Sequence, residues 1–250
     1  MEKALEIRNL KKEYGTDGNQ TKALQGLSFA VDKGEFVAIM GRSGSGKTTL
    51  LNIIATIDKK SSGIVKISGI DIDSLNKKNL SDFRKRELGF IFQDFSLLDT
   101  MNSYDNISLP LCIQKIGRRE IDSRVREVSS LLDIDKILYK YPYECSGGEK
   151  QRIASARALV GHPSLVLADE PTGSLDSRSS KSLLTALSEV NKKEKASILM
   201  VTHDAFAASF ATRVIFLKDG LVDGEIQKDE DNQKEFFERV SIASRKEEEN

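Results

Sequence analysis

Tryptophan is absent from this chain of 250 residues, and cysteine and histidine occur only twice each. The missing tryptophan excludes nothing. The scarcity of the other two excludes more. Cys112, Cys145, His162 and His203 do not fall at zinc-site spacings, and one conceivable cysteine pair makes no disulfide framework. Such cysteine usage suits a reducing compartment, so the cytosol is expected. An excess of one charge is also missing: 38 acidic and 38 basic residues cancel. No nucleic-acid partner is therefore expected from bulk charge. No apolar run approaches the ~18 residues that cross a bilayer, and the opening MEKALEIRNLKKEY holds no apolar segment of a secretory signal. Any membrane role is expected to come through another chain.

What is present is an alternation of apolar strands and amphipathic helices. ALEIRNL and ALQGLSFAV read as extended, with the turn GTDGNQ between them. EFVAIM (35–40) is a compact apolar strand, and GKTTLLNIIATI continues as a helix after a glycine-rich loop. SGIVKISGIDI reads as strand, KKNLSDFRKRE as a short polar helix, and LGFIFQ (88–93) as strand. From about Asp94 to Tyr143 the pattern turns helical, with Ile121, Val125, Val128 and Leu132 on one face. GGEKQRIASARALV is a helix ended by Gly161-His162-Pro163, and SLVLAD (164–169) is a buried strand. A helix (SRSSKSLLTALSEVNKK), a strand (ASILMV), a short helix (DAFAASFA), a hairpin and a final helix with a charged tail complete the chain. Strands alternating with helices predict an α/β fold with a mainly parallel sheet.

Two segments carry phosphate chemistry. GRSGSGKT (41–48) fits G-x-x-x-x-G-K-[ST] and stands between an apolar strand and a helix, the context that pattern requires. Gly41, Arg42, Ser43, Gly44, Ser45 and Gly46 let backbone N–H groups turn toward phosphates. The helix adds its positive end. Lys47 suits the β- and γ-phosphates, Thr48 suits Mg²⁺, and Thr49 supports the helix start. In LVLADE, Asp169 emerges at a strand end to hold the Mg²⁺ shell, and Glu170 follows, placed to polarise an attacking water. The second segment is Ser146-Gly147-Gly148. It reads as an N-cap followed by glycines that allow close approach to an anion.

The order of these and further motifs resembles the ATP-binding subunits of ABC transporters over almost the full length. Tyr14 stands at the adenine-stacking position, residues 41–48 at Walker A and Gln93 at the Q-loop. SGGEKQR stands at the signature, 165–170 at Walker B, GSLD (173–176) at the D-loop and His203 at the H-loop. The resemblance implies a P-loop NTPase fold, with an N-terminal antiparallel β subdomain and an α-helical subdomain. The expected division of the single domain is 1–93 (β and P-loop core), 94–160 (helical, with the signature), 161–226 (core continuation) and 227–250 (helix and charged tail). It also implies ATP and Mg²⁺ as ligands, and a homodimer in which each signature grips the γ-phosphate of the partner's ATP. Gln93 is then expected to reach Mg²⁺ and the water, His203 to contact the γ-phosphate, and Asp176 to cross the dimer interface.

Two positions depart from the family pattern. Cys145 stands where leucine is common. A cysteine near a helix N-terminus can be activated, but no His–Asn or His–Asp pattern accompanies it, and it is read as a small apolar substitute. Glu149 stands where glutamine is common, and activity is expected to survive the change. The short separations of Lys47 from Gln93 and of Ser146 from Asp169 exclude the relatives with long coiled coils, and a single cassette excludes the translation-factor relatives. Within the transporters the chain is similar to the group for lipoprotein release, macrolide export and antimicrobial-peptide resistance, and looks closest to the bacitracin-resistance type. That implies a separate permease on a bacterial membrane, with this chain on its cytoplasmic face, and leaves room for a sensor-kinase complex through the permease. A mechanotransmission or signalling ATPase of the lipoprotein-release or cell-division type, acting on an envelope partner without moving a peptide, is the alternative.

Overall fold

Every residue of the run Phe36–Met40 is buried, and the alternation along it explains the architecture. Phe36, Ala38 and Met40 enter one core, whereas Val37 and Ile39 enter another. A strand apolar on both faces needs cover on both. In this computed structural model, which describes residues 2–15 and 20–249, that strand is β3 at the centre of a six-stranded sheet. The middle of the expected GTDGNQ turn, residues 16–19, lies outside the described residues.

The described elements follow the expected alternation. β1 (Lys3–Tyr14) and β2 (Thr21–Asp32) precede β3, and α1 (Lys47–Ile54) follows it. Next come β4 (Ser62–Ile67), β5 (Ile70–Asp71), α2 (Lys77–Glu87) and β6 (Leu88–Ile91). α3 (Ser103–Ile113), α4 (Arg118–Leu131) and α5 (Gly147–Leu159) lead to β7 (Leu165–Asp169). α6 (Ser177–Glu194), β8 (Ile198–Val201), α7 (Ala205–Ala208), β9 (Arg213–Lys218), β10 (Leu221–Gln227) and α8 (Gln233–Glu249) complete the chain.

The main sheet has the order β10-β9-β3-β8-β7-β6. β9, β3, β8, β7 and β6 run parallel, and β10 closes the edge as an antiparallel hairpin with β9. A separate antiparallel sheet, β2-β1-β4-β5, comes from the first seventy residues. Leu5, Ile7, Leu27 and Val65 of this sheet share a core with α1 and with Val37, Leu167, Leu199 and Ile215 of the main sheet. The alternate residues Ala38, Val166, Met200 and Phe216 face the core built with α3 to α6 and α8.

The stretch 94–143 is helical only in part. Residues 94–102 form no helix, and short 3₁₀ turns occupy Asp135–Ile137 and Pro142–Glu144. Phe95 and Ser96 have φ of 64° and 46°, a left-handed pair that no α-helix can hold. The irregular stretch is organised by Asn106, which is fully buried. Its Oδ1 accepts from the Leu98 N–H at 2.9 Å, and its Nδ2 donates to the carbonyls of Leu98, Met101 and Asn102. Local side-chain bonding of this kind competes with helix formation, and periodicity alone does not reveal it.

Candidate active site

Parallel strands deliver their carboxyl ends to one edge, the place where open α/β sheets bind ligands. Gly41 follows β3, Gln93 follows β6, Asp169 ends β7 and His203 follows β8. Ser43, Gly44 and residues 46–49 line a cavity of about 400 Å³ together with Asp169, Glu170 and His203.

The loop's glycines have different reasons. A β-carbon on Gly41 would stand 2.2 Å from the Leu217 carbonyl oxygen, so the loop is pressed against β9. One on Gly46 would stand 2.6 Å from the Ala23 carbonyl oxygen of β2. Gly44 has φ +83° with nothing among the described residues within 4 Å of such a carbon, so conformation demands glycine there. Lys47 Nζ donates to the Gly41 and Arg42 carbonyls at 2.6 and 2.8 Å. Burial pushes its ammonium below the ordinary value, against the pull of Glu170 and Asp169. Burial likewise pushes the Asp169 carboxyl up, Glu170 adds to that, and Lys47 opposes it. The three charges therefore share one partly desolvated region.

Glu170 has φ 45°, rare for a side chain of its kind. Bonds on both sides hold it there: its N–H donates to the Val201 carbonyl, and its own carbonyl accepts from the Gly173 N–H, each at 2.9 Å. The carboxylate stands 2.8 Å from His203 Nδ1 and accepts from the Thr202 hydroxyl at 3.3 Å. His203 donates to this carboxylate in the tautomer that carries its proton on Nδ1. His203 is largely exposed, and Glu170 is mostly covered. This pair also borders a second hollow of about 600 Å³, along Thr172, Gly173, Leu175 and the start of α6.

The signature residues lie outside the first cavity. Ser146 caps α5: its Oγ accepts from the Glu149 N–H at 3.3 Å, and Glu149 Oε2 accepts from the Ser146 N–H at 2.7 Å. Glu149, the departure from the family pattern, thereby completes a capping box. Gly148 packs against the first turn of α6 at Ser179, and Gly147 lies near Leu175. Asp176 caps α6, accepting from the N–H groups of Arg178 and Ser179 and from the Ser179 hydroxyl. Cys145 is buried in the larger core, and burial pushes its thiol up. It packs as an apolar residue.

Gln93 and Tyr14 stand apart from the cavity lining. Gln93 lies over Gly173, where a β-carbon would meet its Nε2 at 2.9 Å, and its carbonyl accepts from the Ser174 hydroxyl at 2.8 Å. Tyr14 is partly exposed; its hydroxyl donates to Asp58 Oδ2 at 2.6 Å, and Lys12 Nζ sits 4.4 Å from its ring centre. Lys12 also pairs with Asp58 at 2.8 Å. Sequence reasoning missed Asp58, Thr202, Gln151 and Arg157. Gln151 lies within the quoted SGGEKQR, but only its packing shows that both amide protons are committed to backbone carbonyls.

A buried parallel strand, a glycine-rich turn, a helix start and an acid pair at a strand end two places away define a P-loop nucleoside-triphosphate-binding domain. Comparison with known proteins narrows that class. Residues 24–173 match the family described as ABC transporter. The chain is 50% identical over 236 residues to the bacitracin export ATP-binding protein BceA of Halalkalibacterium halodurans, across 94% of this chain and 93% of that one. It is 41% identical to the lipoprotein-releasing system ATP-binding protein LolD of Porphyromonas gingivalis, across 88% of this chain and 99% of that one. A dimeric post-hydrolysis structure of the ATP-binding cassette MJ0796 bound to ADP and Pi superposes with a TM-score of 0.79 at 35% identity. That match covers 89% of this chain and 98% of that one. The chain belongs to the ABC transporter ATP-binding family, and it is an ATP-hydrolysing enzyme of that family.

Proposed function

We propose that this chain works as a homodimer powering a separate membrane permease in antimicrobial-peptide resistance, at the cytoplasmic face of a bacterial membrane. The hydrolytic part of the reading is carried by one observation: Glu170, paired with His203, borders the same cavity as Lys47 and Asp169. The cargo class rests on the likeness to a bacitracin export ATPase across nearly both whole chains. A sensor-kinase complex through the permease belongs to the same reading.

The chain's residues divide the work. Gly41 to Thr49 cradle the phosphates through backbone N–H groups and the start of α1. Lys47 offsets the charge that develops as the γ-phosphoryl leaves. Glu170 takes a proton from the attacking water, and His203 fixes its carboxylate and meets the γ-phosphate. Tyr14 stacks on the adenine, its hydroxyl steadied by Asp58. The second copy's Ser146, Gly147 and Gly148 face the γ-phosphate from across the interface, and Asp176 orders the first turn of α6 there. Thr48 and Asp169 would hold Mg²⁺, which would supply charge neutralisation at the phosphates, and Gln93 would join them once its side chain leaves Gly173. The donor set fits: one hydroxyl and one carboxylate leave most of an octahedral shell to phosphate and water, as Mg²⁺ prefers.

A host strain lacking this chain, complemented with wild type or Glu170→Gln, tests the cargo class. Wild type is expected to restore bacitracin tolerance and Glu170→Gln to fail. Equal tolerance in all three strains would contradict it, and a defect in lipoprotein release or cell separation would favour the alternative group.

A further inference from the structure

The ladder between β6 and β7 ends at Ile91 opposite Ala168. Beyond it the two strands lead to the two loops that bear Gln93 and Glu170. A side chain from α5 spans that opening. Gln151 is fully buried, and its Nε2 donates to the Phe92 carbonyl at 2.9 Å and to the Pro171 carbonyl at 2.8 Å. Phe92 directly precedes Gln93, and Pro171 directly follows Glu170. Both protons of one amide are thus committed, one to each loop. The Oε1 of the same amide is buried with no partner among the described residues. A buried unpaired acceptor is costly, so packing alone does not explain an amide at this place. Four residues later, one turn on, the Ser155 hydroxyl donates to the Gln151 carbonyl at 2.8 Å. Arg157, also on α5, donates to the carbonyls of Phe95 and Ser96, the left-handed pair. One helix therefore holds the Q-loop at both ends and the turn after Glu170, while its N-terminus carries Ser146, Gly147 and Gly148.

We propose that Gln151 is a positioning residue. It fixes the Gln93 loop and the Glu170 turn to the signature helix, so that capture of that helix by the other chain's nucleotide sets the geometry of this chain's own hydrolytic site. The inference rests on the proposed roles of Glu170 and of the signature.

The test uses the full-length chain with Gln151→Met, which keeps the volume and removes both donors, and Gln151→Glu, which keeps the shape and sets an acceptor against two carbonyls. Melting temperature, affinity for a fluorescent ATP analogue, kcat and the Hill coefficient for ATP are measured. Nucleotide affinity is expected to stay within about 3-fold, since the P-loop is untouched, and kcat to fall ~10- to 100-fold, as for misplaced catalytic groups. The Hill coefficient is expected to fall from above 1 in wild type toward about 1 in both variants. A folded Gln151→Met chain with wild-type kcat and wild-type cooperativity would overturn the proposal. So would a wild-type Hill coefficient of about 1, or a loss of kcat that only follows lost nucleotide affinity. If Gln151→Met does not fold, Gln151→Glu carries the same readouts. The shared-site reading fails separately, through Glu170→Gln measured with Gln151 intact.

Discussion

Gly148 and Ser179 meet with no room for a side chain between them: a β-carbon on Gly148 would stand 3.0 Å from the Ser179 hydroxyl oxygen and 3.1 Å from its β-carbon. The glycine in the signature thus has a reason within its own chain, the close approach of α5 to the first turn of α6. Gly148→Ala is expected to push these helix ends apart by a few tenths of an ångström. ATP affinity should hold, and ATPase activity should drop. Adding Ser179→Gly should restore part of the activity, because it removes the atom in the way. A titration of fluorescent ATP beside a steady-state assay checks both. No recovery in the double variant would assign Gly148 to the partner's phosphate alone.

The capping box gives a pH-dependent prediction. The Glu149 carboxyl is held below its ordinary 4.5, first by the Ser146 N–H. A depressed carboxyl contributes stability above its unfolded value and loses it as pH falls through the lower folded value. Glu149→Ala is expected to cost about 1 kcal/mol at neutral pH, the scale of a helix cap. The gap to wild type should narrow below roughly pH 4, where the wild-type carboxyl protonates as well. Urea midpoints at several pH values measure it. A gap that stays constant into acid would rule out the charged cap.

Cys145 is expected to be chemically quiet. It is buried with a thiol pushed above its ordinary 9.0, whereas Cys112 is exposed. Thiol alkylation of the folded chain at neutral pH should modify Cys112 and spare Cys145, as read by peptide mass spectrometry. Cys145→Leu should keep its ATPase activity. Rapid modification of Cys145, or loss of hydrolysis in a folded Cys145→Leu chain that binds ATP, would restore the activated thiol.

Much of this architecture is readable from the sequence, for physical reasons. The continuous apolar runs 36–40, 165–168 and 198–201 mark strands covered on both faces, and the glycine pattern of 41–48 fixes a loop that few other sequences support. The break in the helical stretch is less legible. Phe95 and Ser96 are ordinary helix-tolerant residues, and the irregular path is held by Asn106 nearby and by Gln151 and Arg157, distant in sequence. Glu149 is different: Ser-x-x-Glu is a local capping signature, readable from the sequence, and the structure forms it. Partners far apart along the chain leave no periodic trace.

The central claim is that Ser146, Gly147 and Gly148 complete a site whose other half, with Lys47 and Glu170, belongs to a second copy. Light scattering of a Glu170→Gln chain during size-exclusion chromatography, with and without saturating Mg-ATP, tests it most directly. The carboxamide keeps the shape and removes the base, so ATP should persist and the chain should run as a dimer with nucleotide and as a monomer without it. A monomer at saturating Mg-ATP, with binding confirmed on the same sample, would contradict the shared site.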